Sequence, residues 1–381
     1  MNLIEYKNLF FRGKHIHLNH GGLSPISKPV HDEINYWSKR FYEDGFHSDH
    51  DYKQRVEWSR SQISKLVDCE PDEIAFFQSC AWGISQFAFG CGLKKDDEVL
   101  LFDQEYSSNL YPWQSACKKA DAKLVIIESG PNLEVSIKSL VEKITIKTKV
   151  ITVSWVEYQT GAVFDLEKLS KICKEKNILF FVDATQGLGI HTISFKELSI
   201  DGLASASHKW LNAPVGVGFL AIKKKLALKM NPIAIGALTY GECDDPSELE
   251  CIPKFNALKF EAGAKQVLEI NALGKSVEQI NAVGTETLKS EAFRYAKILR
   301  ETMLDLGFEI YSPFEKSDES QFISFSHANK NKVNNKSLQK YFYDSGYHLP
   351  IRGPGVRITC HAINIDSDIE SFIKLLNKLA E

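Results

Sequence analysis

The sequence lacks the features that mark membrane, secreted and metal-binding proteins. Its apolar runs, such as Ile178 to Val182, are far shorter than the roughly 18 residues of a membrane helix. The N-terminal MNLIEYKNLFFRGK contains no apolar signal-peptide core, and the eight cysteines form no CxxC pair and no Cys/His cluster with zinc spacing. These absences predict a cytoplasmic protein with reduced thiols, no membrane segment and no metal site.

An excess of positive charge is also absent. The chain has 46 Lys and Arg against 49 Asp and Glu, a net charge of -3, so no nucleic-acid partner is expected. At 381 residues the chain has the length of two or three domains, of which two are favoured, and it is long enough to bury a core without disulfides or structural metals.

Short apolar runs alternate with amphipathic helical stretches through the first two thirds of the chain. Runs rich in Val, Ile and Phe, separated by helices of this length, predict βαβ units and a mostly parallel, buried sheet. The predicted strands are Ile74–Phe77, Glu98–Phe102, Lys123–Ile127, Lys149–Ser154, Ile178–Val182 and Val217–Ile222. The predicted helices are Ile26–Glu43, Asp51–Val67, Ala81–Cys91, Asn109–Ala120, Ser136–Ile144 and Asp165–Lys176.

The pattern changes after about residue 255. We therefore predict an α/β fold with a large domain over residues 21–255 and a smaller α+β C-terminal domain over residues 256–381, which the N-terminal segment 1–20 joins. The elements expected in the smaller domain are helices at Lys265–Val283 and Thr287–Leu306, strands at Gln321–Ser326 and Val356–Cys360 with a helix between them, and a final helix from Asp366.

A buried strand delivers Asp183 at its carboxyl end, within Phe181-Val182-Asp183-Ala184-Thr185-Gln186. In open α/β sheets, ligands bind outside the carboxyl ends of the strands. This segment alone leaves several interpretations open, because an Asp at that place holds a metal, a ribose or a ring nitrogen, or caps a turn.

Lys209 narrows the possible roles of Asp183. It follows Ser205-Ala206-Ser207-His208, and the adjacent Trp210 and Leu211 argue against full exposure. Desolvation lowers the pKa of a buried Lys, which then forms a Schiff base readily. An acid at one strand end and a Lys on a nearby loop are the pair that pyridoxal phosphate (PLP) needs: the carboxylate keeps the pyridine nitrogen protonated, and the Lys holds the aldehyde and moves the Cα proton.

Asp-x-x-Gln and His-Lys at this separation resemble the class V aminotransferase family of fold-type I PLP enzymes. That family includes cysteine desulfurases, isopenicillin N epimerase-like proteins and kynureninases. The resemblance extends from Leu18-Asn19-His20-Gly21-Gly22 to the C-terminal helix. It implies a fold-type I PLP-dependent transferase with a mostly parallel seven-stranded sheet, an amino-acid substrate, and a homodimer whose site lies between the two domains and is completed partly by the partner subunit.

The resemblance also implies roles for single residues. Lys209 resembles the catalytic lysine that holds the cofactor, and Asp183 resembles the partner of the pyridine nitrogen. Gln186 is similar to the donor to the phenolic oxygen, and His208 to the residue that reaches the phosphate. Tyr106 is similar to the aromatic residue that stacks on the cofactor's face.

The turn Gln78-Ser79-Cys80-Ala81-Trp82-Gly83 looks like the family's phosphate loop. Free backbone N–H groups at a helix N-terminus favour an anion. The family often has Thr in place of Ala81, so the backbone around Ala81 and Trp82 is expected to bind the phosphate.

At two other positions this chain lacks a hydroxyl that the family usually has. The family usually has a Ser three residues before the Lys, where this chain has Ala206, so Ser207 or Ser205 is the candidate replacement. Ala264 stands where the family often has a Thr that reaches the phosphate of the neighbouring subunit.

Near the C-terminus, Arg357 matches the family's Arg that binds the substrate carboxylate, and Arg352 is its competitor. A guanidinium suits this role because it is planar, always charged and binds a carboxylate bidentately. Asn19 and His20 in the N-terminal motif are also assigned to the substrate site. No Cys lies between Ser312 and Arg357, where a cysteine desulfurase needs its nucleophile, so persulfide transfer is disfavoured.

These residues predict chemistry at the α-carbon of an amino acid, with transamination as the leading prediction. A carbon–sulfur lyase without a persulfide cysteine and an epimerase are the alternatives. A Rossmann-type oxidoreductase is poorly supported because no GxGxxG opens a helix after a first strand. The absent hydroxyls at Ala81 and Ala264 keep open a non-catalytic binding protein with the same fold.

Overall fold

The computed structural model describes residues 1–13, 15–241, 252–313, 320–330 and 333–380. In these ranges the α-helices are α1 (Leu3–Lys7), α2 (Lys28–Asp44), α3 (Asp49–Val67), α4 (Cys80–Gly90), α5 (Ser107–Ala120), α6 (Ile137–Glu142), α7 (Leu166–Lys176), α8 (Lys224–Ala227), α9 (Val267–Val283), α10 (Thr285–Asp305), α11 (Asn335–Asp344) and α12 (Asp366–Ala380). The strands are β1 (Ile74–Phe77), β2 (Glu98–Phe102), β3 (Lys123–Ile127), β4 (Thr148–Ser154), β5 (Leu179–Asp183), β6 (Gly202–Ala206), β7 (Gly218–Ile222), β8 (Glu309–Ile310), β9 (Phe322–Ser326), β10 (Ile351–Arg352) and β11 (Gly355–Thr359). Short 3₁₀ helices cover Gly45–Ser48, Pro71–Glu73, Pro131–Leu133, Ala237–Thr239 and Ala257–Phe260.

The larger sheet has seven strands in the order β1-β7-β6-β5-β4-β2-β3. β7 runs antiparallel to both of its neighbours, and the remaining pairs are parallel. Phe180 and Val182 of β5 pack into one apolar cluster, whereas Phe181 packs into another. Successive side chains of a strand point to opposite faces, so the sheet is buried on both faces, as the apolar runs predicted.

Helix ends follow local sequence signals. The Ser27 side chain accepts a hydrogen bond from the backbone of Val30, and Pro29 lies in the first turn of α2. Asp165 caps α7 in the same way, and Asn177 ends α7 in the left-handed conformation. These caps place the predicted helices within about two residues of their observed ends.

The smaller sheet is antiparallel, in the order β10-β11-β9-β8. The N-terminal segment joins it, because Thr359 of β11 donates its backbone N–H to the Leu18 carbonyl at 2.9 Å and Asn19 bridges to the same residue. Between the two sheets in sequence, α9 packs on α2 and α3, and its Ile270 lies in a core cluster of the large sheet. The domain boundary near residue 255 stays a prediction.

The predicted α/β fold is confirmed, but the prediction missed β6 of the large sheet and the short helices α1 and α8. The sequence of β6, Gly-Leu-Ala-Ser-Ala, has little of the β-branched and aromatic content that identifies strands. The short strands β8 and β10 were also unpredicted. In the part of the chain that the structure describes, no helix has both the length and the apolar character needed to cross a membrane.

Candidate active site

The carboxyl ends of the parallel strands meet at one edge of the large sheet. Asp183 ends β5 beside Ser154, which ends β4, and Tyr106 follows β2. Lys209 follows β6 on the other side of Asp183. These four residues line a cavity of about 320 Å³, which also contains residues of α4, the N-terminal segment and the small sheet. This size is typical of a small-molecule site.

Asp183 and Gln186 are held in place by their neighbours. One Asp183 oxygen accepts hydrogen bonds from the Thr185 backbone at 2.9 Å and from the Cys80 thiol at 3.6 Å. The Gln186 amide donates to the Gly21 carbonyl at 3.1 Å and accepts from the Trp210 indole at 2.8 Å. Both side chains are therefore oriented by the fold before any ligand binds.

Lys209 lies at the cavity wall with its Nζ 5.5 Å from the centroid of the Tyr106 ring. The pKa of the Lys209 amine is lowered to about 8, mainly by burial. The charge of Arg357 also lowers this pKa, and this effect is larger than the opposite effect of Asp183. A neutral amine is the form that attacks an aldehyde, so this environment suits an amine that forms a Schiff base.

The start of α4 forms another side of the cavity. Ser79 is the N-cap, and Ser79, Cys80 and Ala81 all line the cavity. The close approach of β7 depends on Gly218, since a Cβ there would lie 2.9 Å from the Cys80 nitrogen. The unpaired N–H groups of a helix start favour an anion at this place.

His208 also lines the cavity, as predicted for a residue near the phosphate. Burial lowers the pKa of His208 to about 4, and Lys209 adds to the effect. The imidazole is therefore neutral near pH 7.

The structure does not bring Trp82, Ser207 or His20 into this cavity. Trp82 is 44% exposed, lines a separate cavity of about 130 Å³ beside Ala264, and donates its backbone N–H to the Ser79 carbonyl at 3.2 Å. Its geometry therefore argues against direct phosphate binding by Trp82.

Ser207 is excluded from the cavity because its hydroxyl lies within hydrogen-bonding distance of the carbonyls of Pro214 (2.5 Å) and Val217 (2.7 Å). Ser205 donates to the adjacent Ala206 carbonyl at 3.1 Å and does not line the cavity either. Ser79 and Ser108 are the serines at the α4 and α5 starts that do line it.

His20 is fully buried behind the cavity. Its ring nitrogens lie 3.0 Å from the Ser24 hydroxyl and 3.0 Å from the His17 carbonyl, and its ring packs 5.1 Å from that of His361. The adjacent Asn19 does not line the cavity either, but it contacts Arg357, which does. Its side-chain oxygen accepts a hydrogen bond from Arg357 at 3.2 Å.

Arg357 is 2% exposed, and its guanidinium lines the cavity. Besides the bond to Asn19, it donates to the Tyr158 carbonyl at 2.6 Å, and its Nε has no partner among the described residues. Burial lowers the pKa of Arg357 to about 9, and the charge of Arg352 contributes. Arg352 is exposed, lines the same cavity and donates to the Ile351 carbonyl at 3.1 Å.

Sequence reasoning missed a buried acidic group beside the cavity. Glu105 accepts hydrogen bonds from the Ser154 backbone and hydroxyl, both at 2.6 Å, and from Asn109 at 2.8 Å, and burial raises its pKa to about 7. Glu157 is fully buried, and neither carboxyl oxygen has a partner within the described ranges. Burial raises the pKa of Glu157 well above its ordinary value, with Glu105 and Asp183 adding to the effect. No periodic signal marks these two residues.

The donor set fits PLP. The α4 start offers backbone donors for a phosphate, Asp183 offers a carboxylate for a pyridine nitrogen, and Lys209 offers an amine of lowered pKa, all on one cavity. Within the described ranges, no group of three or more His, Cys, Asp or Glu residues is arranged to hold a metal ion. The fold and the cavity together define a fold-type I enzyme that uses PLP.

Comparison with known proteins agrees with this class. The profile of the family "Aminotransferase class-V" matches residues 16–349. A probable cysteine desulfurase of Pyrococcus abyssi is 28% identical over 342 residues, covering 86% of this chain and 84% of that protein. A probable cysteine desulfurase of Mycoplasma genitalium is 30% identical over 261 residues, covering 68% and 61%. The chain belongs to the class-V aminotransferase family.

Two solved structures show the same fold. The C-DES mutant K223A, with glycine covalently linked to its PLP cofactor, superimposes with a TM-score of 0.89 at 17% identity and covers 99% of both chains. The cysteine desulfurase CsdA of Escherichia coli gives a TM-score of 0.87 at 19% identity, covering 99% of this chain and 98% of that one.

Proposed function

We propose that this protein is a PLP-dependent enzyme that removes the Cα proton of an α-amino acid and transfers its amino group. The main support for this proposal is that Lys209, whose amine has a lowered pKa, lines the same cavity as the buried Arg357. When bound, PLP supplies an electron-withdrawing ring that accepts the electron pair of the broken Cα–H bond.

The chain's own residues divide the remaining work. Arg357 binds the substrate carboxylate, because it lines the cavity from a buried position and a guanidinium binds a carboxylate bidentately. Asp183 would pair with the pyridine nitrogen of bound PLP, and Lys209 Nζ would hold and return the Cα proton. Tyr106 and Tyr158, whose rings lie 5.1 Å apart, limit the access of water at the rim.

Carbon–sulfur elimination is the second candidate. Two relatives that each cover 86% of the chain are named probable cysteine desulfurases. A persulfide mechanism has less support, because the segment from Ser312 to Arg357 contains no Cys. Cys80 lines the cavity, but burial and Asp183 raise the pKa of its thiol well above the ordinary value, which disfavours the nucleophilic thiolate. Elimination that forms no persulfide on the protein needs neither a cysteine in that segment nor a reactive Cys80 thiol.

A cytoplasmic homodimer is part of the proposal. Two apolar side chains that line the small cavity of about 130 Å³ are exposed: Trp82 is 44% and Ile233 is 40% exposed. Exposed apolar groups of this kind mark protein–protein interfaces. Light scattering of the purified protein checks this, and a monomer that is fully loaded with PLP and active would contradict it.

The test of the proposed function is the visible absorption spectrum of the wild type, Lys209→Ala and the control Lys147→Ala, an exposed lysine. Each protein is incubated with PLP, desalted and titrated with single amino acids. We expect a yellow band from lysine-bound PLP in the wild type and the control, its loss in Lys209→Ala, and a spectral change with the substrate amino acid.

Products then separate the two candidates. Formation of a keto acid that depends on an added keto acid acceptor supports amino transfer, whereas release of ammonia without an acceptor supports elimination. A wild type that stays colourless after incubation with PLP would refute both candidates and favour a non-catalytic binding protein.

A further inference from the structure

We propose that Arg352 forms a second anion-binding subsite, which selects amino acids that carry a carboxylate on the side chain. This inference rests on the proposed function and names the substrate class of the same site. It starts from the position of Arg352, which lies on β10 and lines the cavity together with Arg357 of β11.

The turn between β10 and β11 sets that position. Arg352 pairs with Gly355 across the hairpin, and Gly353 in the turn has φ 55°, a conformation that favours glycine. A Cβ at Gly353 would collide with the Gln159 side chain, so the turn packs closely against the loop after β4. The fold therefore holds Arg352 at the side of the cavity where Tyr158 lies.

Arg352 has no acidic partner among the residues that the structure describes. The recorded bond of its guanidinium is to its neighbour, the Ile351 carbonyl, at 3.1 Å. Some other exposed cations of the chain have carboxylate partners. Arg294, for example, pairs with Glu291 and Asp366, each at 2.7 Å. An unpaired guanidinium at a cavity wall remains available to a ligand.

The positive charge of Arg352 has no matching negative charge in the cavity after the cofactor phosphate and the substrate α-carboxylate bind elsewhere. The cofactor phosphate belongs at the start of α4, and the α-carboxylate belongs at the buried Arg357. Glu105 is already bonded to Ser154 and Asn109, and burial raises the pKa of Glu157 well above its ordinary value, which favours its neutral form. An amino acid with a neutral side chain leaves one cation unmatched, whereas a second carboxylate matches it.

The two arginines differ in a way that fits two separate carboxylates. Arg357 is 2% exposed and is held by Tyr158 and Asn19, so it defines a fixed inner position. Arg352 is exposed and therefore reaches the outer end of a ligand whose α-carboxylate is bound inside. A guanidinium binds a carboxylate bidentately, which gives this outer contact both charge and geometric selectivity.

The test measures equilibrium binding of succinate and succinamate to the PLP-loaded enzyme by calorimetry. These two ligands have nearly the same shape, but succinamate has one carboxylate replaced by an amide, and neither has an amino group to react. We expect the wild type to bind succinate about ten- to a hundredfold more tightly, the range of a hydrogen bond to a charged group. Arg352→Gln should lower succinate affinity to that of succinamate, and Arg12→Gln, at an exposed arginine, should change neither.

Two results would overturn the subsite. If Arg352→Gln weakened both ligands equally, Arg352 would share the first carboxylate with Arg357. If it changed neither ligand, Arg352 would not contact the bound anion.

Amino acids separate this failure from failure of the proposed function. Suppose that aspartate or glutamate changes the visible spectrum at far lower concentration than asparagine or glutamine, and that Arg352→Gln removes the difference. Both proposals are then supported. If neutral and acidic amino acids act alike in both proteins, the subsite is refuted and the proposed function stands. If no amino acid changes the spectrum while the succinate preference persists, the subsite stands and the proposed function fails.

Discussion

Two groups of buried charged residues in this molecule differ in how completely they are paired. Arg60 is 1% exposed and donates to Glu261 at 2.7 Å, to Glu57 at 2.8 Å and to the Ile74 carbonyl at 2.7 Å. Glu261 also accepts from Lys265 and from the Phe76 backbone at 2.8 Å. These bonds connect α3, β1 and the segment before α9.

The cavity group is paired incompletely. The Arg357 Nε and both Glu157 oxygens have no partner among the described residues, although both side chains are buried. Burying charged or polar groups without partners costs free energy, and such groups concentrate at functional sites. The comparison therefore teaches that the paired group holds the fold together, whereas the unpaired group is arranged for a ligand.

The largest effect on stability is expected at Arg60. Arg60→Leu leaves Glu261 buried with a weakened set of partners, and we expect the free energy of unfolding to fall by about 3–5 kcal/mol. Urea denaturation measures this, with Arg12→Leu at an exposed arginine as the control, which should change stability by less than about 0.5 kcal/mol. A loss below about 1 kcal/mol for Arg60→Leu would mean that the paired group does not hold the fold.

Arg357→Leu should show the opposite behaviour. We expect the dissociation constant of the amino acid that changes the visible spectrum to rise on the order of a hundredfold, because a hydrogen-bonded charge pair with its carboxylate is lost. The free energy of unfolding should fall by no more than about 1 kcal/mol, since the guanidinium is incompletely paired without ligand. A stability loss as large as that of Arg60→Leu, with unchanged ligand affinity, would mean that Arg357 stabilises the fold and does not bind the ligand.

Glu157→Met should stabilise the protein. Removing a buried carboxyl without partners is expected to raise the free energy of unfolding by about 1–3 kcal/mol at pH 7. The pKa of Glu157 is raised in the folded state, so the stability that it contributes is present below its ordinary pKa and is lost as pH rises through the raised value. The advantage of Glu157→Met should therefore grow from pH 5 to pH 8.

Urea midpoints at both pH values test the Glu157 prediction, and Glu128→Met, at an exposed glutamate, is the control. An advantage that stays constant or shrinks with rising pH would show that Glu157 is not held neutral by burial.

The smallest effect is expected at Ser207. Ser207→Ala removes the donor to the Pro214 and Val217 carbonyls and should cost about 1 kcal/mol of stability, with PLP affinity unchanged within about twofold. Ser79→Ala, at the cavity wall, should instead weaken PLP binding severalfold with a smaller effect on stability. Fluorescence titration of the apoenzyme with PLP checks both. Weakened PLP binding by Ser207→Ala alone would restore Ser207 as a phosphate residue.

Much of the fold was predictable because its signals are local. The apolar runs of β1, β2 and β3 predicted the observed ends of those strands, and the helix caps limited the error at helix ends to about two residues. The sequence did not predict β6 because its small residues form no strand-like pattern. They are buried because β6 pairs with β5 and β7. Its strand character comes from tertiary pairing.

The site was predictable where residue chemistry and strand ends coincide. Asp183, Gln186, His208 and Lys209 line one cavity, and a reader of the sequence expects this because parallel strands end at one edge. The hydroxyl of Ser207 was assigned by proximity in sequence, yet it points to carbonyls at the base of its own loop. Direction of a side chain on a loop depends on the backbone path, which spacing alone does not specify.

The sequence by itself determined the α/β fold, the cofactor class and the pair Asp183 and Lys209, since each depends on residue type, strand order and local periodicity. Only the tertiary structure decided that Gly21 meets Gln186 and that, among the residues described, Arg352 beside Arg357 has no acidic partner and the buried Glu157 carboxyl has no hydrogen-bond partner. Contacts in the site join distant segments: Gln186 and Gly21 lie 165 residues apart, and Arg357 and Asn19 lie 338 residues apart. The physical reason is that burial and pairing depend on how the two sheets and the N-terminal segment pack, and no local pattern encodes that packing.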